Sequence, residues 1–354
     1  MRIDIQRKID QTLGAFICRG LSFFYYPFAN RTDKANADKI LIILLSEMGS
    51  LVVSWQMFEY LKAQYTNASF YLLTLERNKE VVHILDHVPK KNLFTINDTS
   101  LVKFCMGCWQ ILRTLRKENI DTVIDCELFS RISSLFSFLS GAKTRVGFHR
   151  YTQEGLYRGN FINRKVMYNP YCHISRQFIT LADAIDSPSI PKVKKPATNQ
   201  TNYLPQLKFS EYDNKKMLGR LKKDYGYITK KKMILIYPSG GLLSIRAWPR
   251  ENFVQVTQMF LNKGHAVGVI GLKQDRSLGD WITARCDSAD CMNLAGYTKT
   301  IEELLMILNI ASLLITNDGG PSHFAALTRI PTITLFGPET PVLYGPLSPV
   351  SYTH

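Results

Sequence analysis

Short apolar runs alternate with amphipathic segments along most of the chain. Residues 39–45 (KILIILL) are apolar at almost every position, which is typical of a parallel strand buried on both faces. The apolar residues of the next segment, 52–65, recur at helical spacing. Further strands are predicted at 70–75, 93–96, 122–126 and 145–148, and further helices at 101–117 and 131–139. This alternation predicts a doubly wound α/β domain over residues 38–185.

A second alternation begins at residue 231, after an interruption. The interrupting segment, 186–230, is rich in proline and lysine and is predicted to be a basic linker. Strands are then predicted at 233–237, 266–270, 312–315 and 332–336, and helices at 251–262 and 300–310. Neither half contains a GxGxxG motif, which argues against a dinucleotide-dependent enzyme. We therefore expect a second Rossmann-like domain over 231–354, with a cleft between the two domains.

The chain ends soon after its last predicted strand. The last predicted helix lies before Pro331, whereas two-domain α/β proteins usually finish with helices that cover the final strand. We therefore expect the sequence to be truncated at its C terminus, and the native origin of residues 350–354 stays open.

Residues 1–37 form an amphipathic N-terminal segment. Its apolar residues recur at helical spacing: Ile5, Ile9, Leu13, Phe16, Ile17, Leu21, Phe24 and Phe28. Asp10 and Arg19 interrupt the pattern, so no uncharged stretch reaches the length needed to span a bilayer. One interpretation is a helix that lies on a membrane surface, with the aromatic residues 23–26 at the interface. The alternative is a helix packed on the protein's own core.

The composition of the 354 residues is that of a globular protein, with 45% hydrophobic and 21% charged residues. The formal net charge of +15 could attract nucleic acid, anionic lipids or phosphorylated substrates. No nucleic-acid-binding motif accompanies this charge, so no nucleic-acid partner is expected. The seven cysteines form no spaced framework, which indicates a reducing, cytoplasmic compartment. Cys105 and Cys108 lie in a predicted helix without a second pair, so no metal site is predicted.

The motif TNDGGPSH at residues 316–323 carries the strongest chemical signal. It lies between a predicted strand and a predicted helix, and Pro321 suits the first position of a helix. Gly319 and Gly320 leave backbone amides unshielded at the helix N terminus, where a phosphate or diphosphate binds readily. An ordinary capped turn would show the same pattern, so both interpretations remain open on this motif alone.

Over residues 38–349 the chain resembles glycosyltransferase family 9, the heptosyltransferase-like enzymes of lipopolysaccharide assembly. Residues 316–338, TNDGGPSHFAALTRIPTITLFGP, are similar to the family's TNDSGPMHLAAALGVPTVALFGP. Residues 237–241 (YPSGG) and 246–249 (RAWP) resemble the family's glycine loop and its K-x-W-P motif. Weaker similarities are found at 40–50 (ILIILLSEMGS), in the first strand and its loop, and at 141–148 (GAKTRVGF).

This resemblance implies a GT-B fold, in which two facing Rossmann-like domains bind the sugar nucleotide on the C-terminal side and the acceptor on the N-terminal side. Transfer in the family inverts the anomeric centre and needs no metal or other cofactor. Arg246 takes the place of the family's lysine and would neutralise charge on the leaving diphosphate. The donor-binding residues that the resemblance implies are Ser239, Gly240, Arg246, Asp275, Asp318, Gly319, Gly320 and His323.

The catalytic base departs from the family pattern. The family's first loop often reads G-D, and that aspartate is its usual candidate base, but here Gly49 is followed by Ser50. A serine hydroxyl cannot accept the acceptor's proton at neutral pH, so a nearby carboxylate must do so. Glu47 in the same loop is the first candidate, and Glu127 after the strand at 122–126 is the second. A capping or interdomain hydrogen bond is the alternative role for each.

The N-terminal half also contains a group of basic residues. Together with Ser50, the residues expected to bind an acidic glycolipid acceptor are Arg131, Arg145, His149 and Arg150, with Arg158 nearby. Scattered surface charge is the alternative explanation.

The resulting hypothesis is an inverting, metal-independent glycosyltransferase at the inner face of a bacterial cytoplasmic membrane. By resemblance, its donor is ADP-heptose and its acceptor is a lipopolysaccharide core or a related glycolipid. Two alternatives remain: a non-catalytic protein that binds sugar nucleotides or glycans, which Ser50 favours, and a nucleotide-sugar epimerase of the same architecture.

Overall fold

The computed structural model divides into two compact units, residues 1–200 and 201–354. The structure describes residues 8–25, 37–45, 47–128, 130–149, 157–186, 204–226, 230–241, 243–348 and 351–353. Each unit is built on its own six-stranded sheet, in which neighbouring strands are parallel. The predicted α/β class with two Rossmann-like domains is therefore confirmed.

The first unit opens with a π-helical turn, Asp10–Gly14, that continues into helix α1, Ala15–Tyr25. Its strands are β1 (Lys39–Ile43), β2 (Ser69–Leu75), β3 (Leu93–Ile96), β4 (Thr122–Asp125), β5 (Thr144–His149) and β6 (Arg164–Met167). Its other α-helices are α2 (Met48–Val53), α3 (Trp55–Gln64), α4 (Lys79–Leu85), α5 (Leu101–Glu118), α6 (Arg131–Leu139) and α7 (Ile174–Asp183).

Strand β1 lies at the centre of the first sheet, whose order is β3-β2-β1-β4-β5-β6. Residues 40–43 of this strand are fully buried, as expected where helices cover both faces of a parallel sheet. The chain builds outward from β1 to β3 and then returns to place β4 on the other side of β1. The loops after β1 and β4 therefore meet at the carboxyl edge of the sheet, at the position where open α/β sheets bind ligands.

Helices α5 and α6 pack on the same face of the first sheet. Ile111 and Leu115 of α5 and Phe136 of α6 join strand residues in one apolar cluster. The side chain of Arg116 also reaches α6, because its Nε donates a hydrogen bond to the carbonyl of Leu139 at 3.0 Å. The two helices thus form one layer over the sheet.

Helix α1 packs one face on α6 and leaves the other exposed. Cys18 is fully buried in a cluster with Leu135 and Phe161, and Ile17 and Leu21 pack against that cluster. The exposed apolar residues of the segment are Leu13, Phe16, Phe23 and Phe24. The inner face therefore matches the predicted core-packed helix, while the outer face leaves the membrane interpretation open. Ile5 and Phe28 lie outside the described residues, among which no helix is long and apolar enough to cross a bilayer.

Asp10 fastens the N-terminal segment to the start of α6. Its Oδ1 accepts hydrogen bonds from the amides of Arg131 and Ile132 at 2.9 and 3.1 Å. Its Oδ2 lies 3.4 Å from a terminal nitrogen of Arg131. The first amides of a helix lack partners within the helix and carry a partial positive charge, so a carboxylate stabilises this end. The residue that interrupts the amphipathic pattern is thus a cap for another helix.

The second unit repeats the architecture of the first. Its strands are β7 (Met233–Tyr237), β8 (Ala266–Gly271), β9 (Cys291–Ala295), β10 (Leu313–Asn317), β11 (Thr332–Leu335) and β12 (Ser351–Thr353). Its α-helices are α8 (Glu211–Tyr225), α9 (Arg250–Asn262), α10 (Arg276–Cys286), α11 (Ile301–Ile310), α12 (Gly320–Ala325) and α13 (Pro341–Tyr344). The sheet order is β12-β11-β10-β7-β8-β9, so the strand order reverses between β7 and β10.

Part of the predicted basic linker, 186–230, is a helix of the second unit. Helix α8 is capped by the hydroxyl of Ser210, and it buries Met217 and Leu221 at helical spacing. Arg220 on this helix lies 3.0 Å from Glu303 of α11. The second unit accordingly begins at residue 201, before the boundary at 231 expected from the sequence. The lysines on the outer face of α8 hid its two buried positions in the sequence pattern.

Candidate functional site

The turn between β10 and α12 lies at the strand-order reversal of the second sheet. Thr316 and Asn317 are fully buried at the end of β10, and the amide of Asp318 donates a hydrogen bond to the carbonyl of Leu335 at 2.9 Å. Gly319 is extended, with φ of 167° and ψ of −169°. Ser322 donates to the Gly319 carbonyl from its amide at 3.2 Å and from its hydroxyl at 2.7 Å. The turn therefore holds its own shape through short-range hydrogen bonds.

The two glycines of this turn are not required by the fold of the second unit. A Cβ atom on Gly319 would lie 3.8 Å from the Tyr237 ring, and one on Gly320 would lie 3.7 Å from the Phe324 ring, both ordinary contact distances. Within the described residues, the Gly319 and Gly320 amides donate none of the backbone hydrogen bonds of the turn. The turn thus offers donors that a bound anion could use.

Gly240, in the loop after β7, is by contrast required by the local fold. A Cβ atom here would lie 2.6 Å from the carbonyl oxygen of Leu243 and 3.1 Å from the amide nitrogen of Ala247. The next residue, Gly241, has a positive φ of 61°, which side-chain-bearing residues rarely adopt. Glycine at 240 therefore lets the loop fold tightly over itself and into the 3₁₀ turn Ser244–Arg246.

Asn317 joins the two loops and was not predicted as a site residue. Its Nδ2 donates to the carbonyls of Pro238 and Ser239 at 3.0 and 3.3 Å, and its Oδ1 accepts from the amide of Trp248 at 3.1 Å. These bonds fix the glycine loop and the segment after Arg246 against the end of β10. A polar residue shortly after the predicted strand 312–315 was the only sequence signal for this role.

Arg246 lies between two carboxylates at this edge. Its Nε is 3.7 Å from Oδ2 of Asp318, and a terminal nitrogen is 3.7 Å from Oε1 of Glu339. Asp318 is 4% exposed and the Arg246 side chain 15% exposed, so water screens this group weakly. Asp318, predicted to lie at the donor diphosphate and sugar, pairs with Arg246 and so helps to orient its guanidinium. Glu339 was not predicted.

Ser239 and Asp275 connect the loops after β7 and β8. The Ser239 hydroxyl donates to Oδ1 of Asp275 at 2.9 Å and accepts from the Gly241 amide at 3.2 Å. Oδ2 of Asp275 accepts from the amide of Leu272 at 2.8 Å. Asp275 lies at the carboxyl end of β8 as predicted, with lone pairs left on both oxygens for a ligand hydroxyl. His323 is buried in α12, 9% exposed.

The first unit places carboxylates at its own strand-order reversal. Glu127 follows β4 and is buried, and its Oε1 accepts a hydrogen bond from the amide of Leu45 at 2.6 Å. Leu45 lies in the loop after β1, two residues before Glu47. Glu47 is the N-cap residue of α2, is half-buried, and its side chain does not cap the helix. The structure thus brings both candidate bases to one edge. Ser50 lies in α2, half-buried.

A buried ion pair lies beneath Glu127. Asp125 is completely buried at the end of β4 and pairs with a terminal nitrogen of Arg158. Arg158 also donates to the carbonyls of Glu127 and Ser130, and the hydroxyl of Ser133 donates to Asp125 at 3.1 Å. Burial raises the pKa of the Asp125 carboxyl, and Arg158 and Ser133 oppose that rise. These contacts fix the backbone that carries Glu127.

Arg131 and Arg145, predicted to bind an acidic acceptor or to be scattered surface charge, are both buried, at 6% and 5% exposure. Arg131 pairs with Asp10 and donates from Nε to the carbonyl of Tyr157 at 3.0 Å. Arg145 donates from Nε to the carbonyl of Phe161 at 2.6 Å. Arg150 and the side chain of His149 lie outside the described residues.

The family can now be assigned. The model of glycosyltransferase family 9 (heptosyltransferase) matches residues 108–353, which is more than half of the chain. The chain belongs to glycosyltransferase family 9. The match spans the whole of the second unit's sheet with its edge and strands β4 to β6 of the first unit with Glu127, whereas the loop after β1 that carries Glu47 precedes it.

Curated relatives and solved structures are similar to this family 9 chain over most of its length. The lipooligosaccharide heptosyltransferase 2 of Haemophilus influenzae is 24% identical over 314 residues, covering 87% of this chain and 86% of the relative. The structure of Escherichia coli ADP-heptose LPS heptosyltransferase II has a TM-score of 0.69 and 21% identity, over 89% of this chain and 90% of the other. A family 9 glycosyltransferase from Veillonella parvula has a TM-score of 0.72 and 16% identity, over 91% and 87%.

These alignments confirm the predicted GT-B fold class, and family membership makes this chain a glycosyltransferase. Across the described ranges, no group of three or more His, Cys, Asp and Glu side chains is arranged to hold a metal ion.

Proposed function

We propose that this family 9 glycosyltransferase moves a heptose from ADP-heptose to a lipopolysaccharide core or related glycolipid, with inversion and without a metal ion. The donor and acceptor classes come from the names of its relatives, which include heptosyltransferases of two bacteria. The observation that carries the proposal is the position of Arg246, held by Asp318 and Glu339 beside the glycine turn of the second unit.

The second unit would receive the departing nucleotide. When the bond between the anomeric carbon and the diphosphate oxygen breaks, the electron pair stays on that oxygen as negative charge. Donors that are already oriented stabilise such charge without reorganisation. The Gly319 and Gly320 amides and the Arg246 guanidinium are donors of this kind. Asn317 keeps them in register because it bonds to both loops.

The first unit would supply the base. In an inverting transfer, the acceptor hydroxyl attacks the anomeric carbon from the face opposite the diphosphate, and its proton must pass to a carboxylate. We assign Glu47 as this base and Glu127 as a positioning residue. The assignment is supported by the Glu127 carboxylate, which already holds the Leu45 amide in the loop that carries Glu47.

The base assignment can be tested by transfer assays with purified protein, ADP-heptose and a heptose-free lipopolysaccharide core. We expect Glu47→Gln to lower kcat by about 100- to 10,000-fold, the usual contribution of a positioned base. ADP-heptose should still bind and raise the melting temperature, since ligands that bind the native state stabilise it. Glu127→Gln should lower kcat less and should weaken the pH dependence only slightly.

Unchanged turnover in both variants would refute the assignment of the base. If the wild-type protein binds ADP-heptose but turns over no acceptor, the non-catalytic binding protein favoured by Ser50 replaces the transferase. A thermal-shift panel of other nucleotide sugars identifies the donor if ADP-heptose does not bind.

We also propose peripheral attachment to the inner face of the cytoplasmic membrane through the outer face of α1. Leu13, Phe16, Phe23 and Phe24 are exposed there, and the exposed Lys8 and Arg19 can contact anionic headgroups. Replacing Phe16, Phe23 and Phe24 by serine should move the protein from the pellet to the supernatant in a vesicle sedimentation assay. Unchanged sedimentation would count against attachment through α1. Deleting the segment is a poorer test, because it also removes the Asp10 cap of α6.

A further inference from the structure

The outer face of α5 is apolar at its N-terminal end and basic at its C-terminal end. Helical spacing places Val102, Met106 and Trp109 on the side away from the sheet, and each is more than half exposed. The inner side of the same helix carries Ile111 and Leu115, which are buried in the core of the first unit. The outer residues therefore lie outside the apolar core of the unit.

Basic residues border this apolar patch. Lys103, Arg113 and Lys117 are exposed on the helix, and the Arg113 guanidinium lies 4.6 Å from the centre of the Trp109 ring. The acidic residue of the helix, Glu118, lies at its last position, 3.9 Å from Lys39. Just before the helix, Asp98 lies 3.0 Å from Arg77. The acids at both ends of the patch are thus paired with bases, and the patch itself is positive.

Helices α1 and α5 both contact α6. Ile17 and Leu21 of α1 pack in a cluster with Leu135 of α6, and Arg116 of α5 donates to the carbonyl of Leu139 on the same helix. The two helices with exposed apolar faces are therefore both neighbours of α6 in the first unit.

We propose that the outer face of α5 is a second membrane-contact surface, which binds an anionic bilayer. Trp109 and Met106 would enter the interfacial region, where tryptophan is favoured because its ring is apolar and its N–H is polar. Lys103, Arg113 and Lys117 would contact anionic headgroups. A second copy of the chain fits this face poorly, since a symmetric contact would bring the same basic residues together. The inference extends the membrane attachment proposed above and does not depend on the sugar transferred.

The test uses the full chain and vesicles of phosphatidylethanolamine with phosphatidylglycerol, some carrying brominated acyl chains that quench tryptophan. We expect brominated lipid to quench part of the wild-type fluorescence, and Trp109→Phe to abolish that quenching while binding persists. The triple variant Val102→Ser, Met106→Ser, Trp109→Ser should bind at least about tenfold more weakly, because it removes most of the apolar area of the patch. Vesicles of phosphatidylcholine should bind wild type weakly, since they lack the anionic headgroups.

A matched control replaces exposed apolar residues of the second unit, Tyr212→Ser with Met259→Ser, and should bind like wild type. Transfer to a soluble, lipid-free acceptor should be unchanged in the α5 variant, which separates this inference from the proposed reaction. If only the α1 variant loses binding, attachment through α1 stands and the role of α5 is refuted. If only the α5 variant loses binding, the α5 surface stands and attachment through α1 is refuted. A concentration-dependent dimer that the α5 variant loses would also overturn the proposal, by showing a protein interface.

Discussion

The carboxyl edges of the two sheets have the same topology and opposite chemistry. In each sheet the strand order reverses beside the first strand of the unit, between β1 and β4 or between β7 and β10. The edge in the second unit presents glycine amides and Arg246, which suit an anion. The edge in the first unit presents Glu47 and Glu127, which suit a hydroxyl proton. The topology therefore fixes where a site forms, and a few side chains at the strand ends decide what it can do.

The two edges also differ in how they are held. Asn317 holds the second edge through three neutral hydrogen bonds to the backbone. The first edge rests on the buried pair of Asp125 and Arg158. A neutral amide keeps its bonds at any pH, whereas a buried ion pair depends on both charges.

The largest expected effect comes from breaking that ion pair. Arg158→Met leaves Asp125 buried without its partner and should lower the free energy of unfolding by about 3–5 kcal/mol. Urea denaturation of the purified protein measures this change. The double variant Arg158→Met, Asp125→Leu serves as control and should recover much of the loss. A single variant as stable as wild type would show that the pair does not support the first edge.

Changing Arg246 tests the second edge. Arg246→Met should lower kcat by about 100- to 1,000-fold, the usual cost of removing one oriented donor from a site of developing charge. Arg246→Lys should retain more activity, because it keeps the positive charge but loses the planar fork of donors. Turnover with ADP-heptose checks both variants, under conditions where their urea transitions show that each is folded. Methionine and lysine variants of equal activity would exclude a charge role for this residue.

Acid should weaken the first unit through His87. This histidine is fully buried against Phe58, its Nε2 lies 2.9 Å from the Leu51 carbonyl, and burial lowers its pKa from 6.5 to about 3. As the pH falls through about 6.5, this histidine becomes protonated in the unfolded chain but stays neutral in the folded chain. Protonation therefore stabilises the unfolded state, so the folded protein is most stable above that pH and loses stability below it. Between pH 7 and pH 5 we expect a loss of about 2 kcal/mol.

Urea unfolding at a series of pH values measures this loss. The variant His87→Gln keeps a donor for the Leu51 carbonyl but cannot titrate, so its acid slope should be shallower. If the slopes of wild type and variant coincide, another group controls the acid sensitivity.

The smallest effect separates two kinds of glycine in the second unit. Gly240→Ala places its Cβ against the Leu243 carbonyl and should cost about 1–3 kcal/mol of stability. Gly319→Ala meets only an ordinary contact and should change stability by less than about 0.5 kcal/mol. Its affinity for ADP-heptose should fall, if the diphosphate approaches that amide. Thermal unfolding of both variants, with and without the nucleotide sugar, measures these effects. Equal stability losses in Gly240→Ala and Gly319→Ala would contradict the expected difference.

The sequence predicted the elements whose patterns are local and strong. The buried run of β1 and the helices α5 and α6 lie within one or two residues of their predicted bounds. Strand β6 and helix α10 were not predicted, because β6 carries two basic residues at an edge and α10 has only a weak apolar stripe. Helix α8 was hidden for a similar reason, among lysines.

The candidate site was predictable only where the chain itself makes the geometry. The glycine turn and Arg246 follow directly from the motifs at the ends of β10 and β7. The burial of Arg131 and Arg145 was not predicted, because a charged residue gives no local sign of burial, which depends on partners such as Asp10 far along the chain. Asn317 was missed because its three partners lie about 70 to 80 positions away.

The cap that Asp10 provides has a practical consequence for the first turn of α6. At this turn, the Ser130 carbonyl accepts a hydrogen bond from Arg158, and the Ser133 hydroxyl donates one to Asp125. Both bonds belong to the ion-pair network beneath Glu127. A displacement of the N-terminal helix would therefore shift the start of α6 and, through it, the pair of Asp125 and Arg158 that supports Glu127. Trimming the chain ahead of residue 37 would therefore remove the Asp10 cap of α6 together with the membrane-contact face proposed for α1.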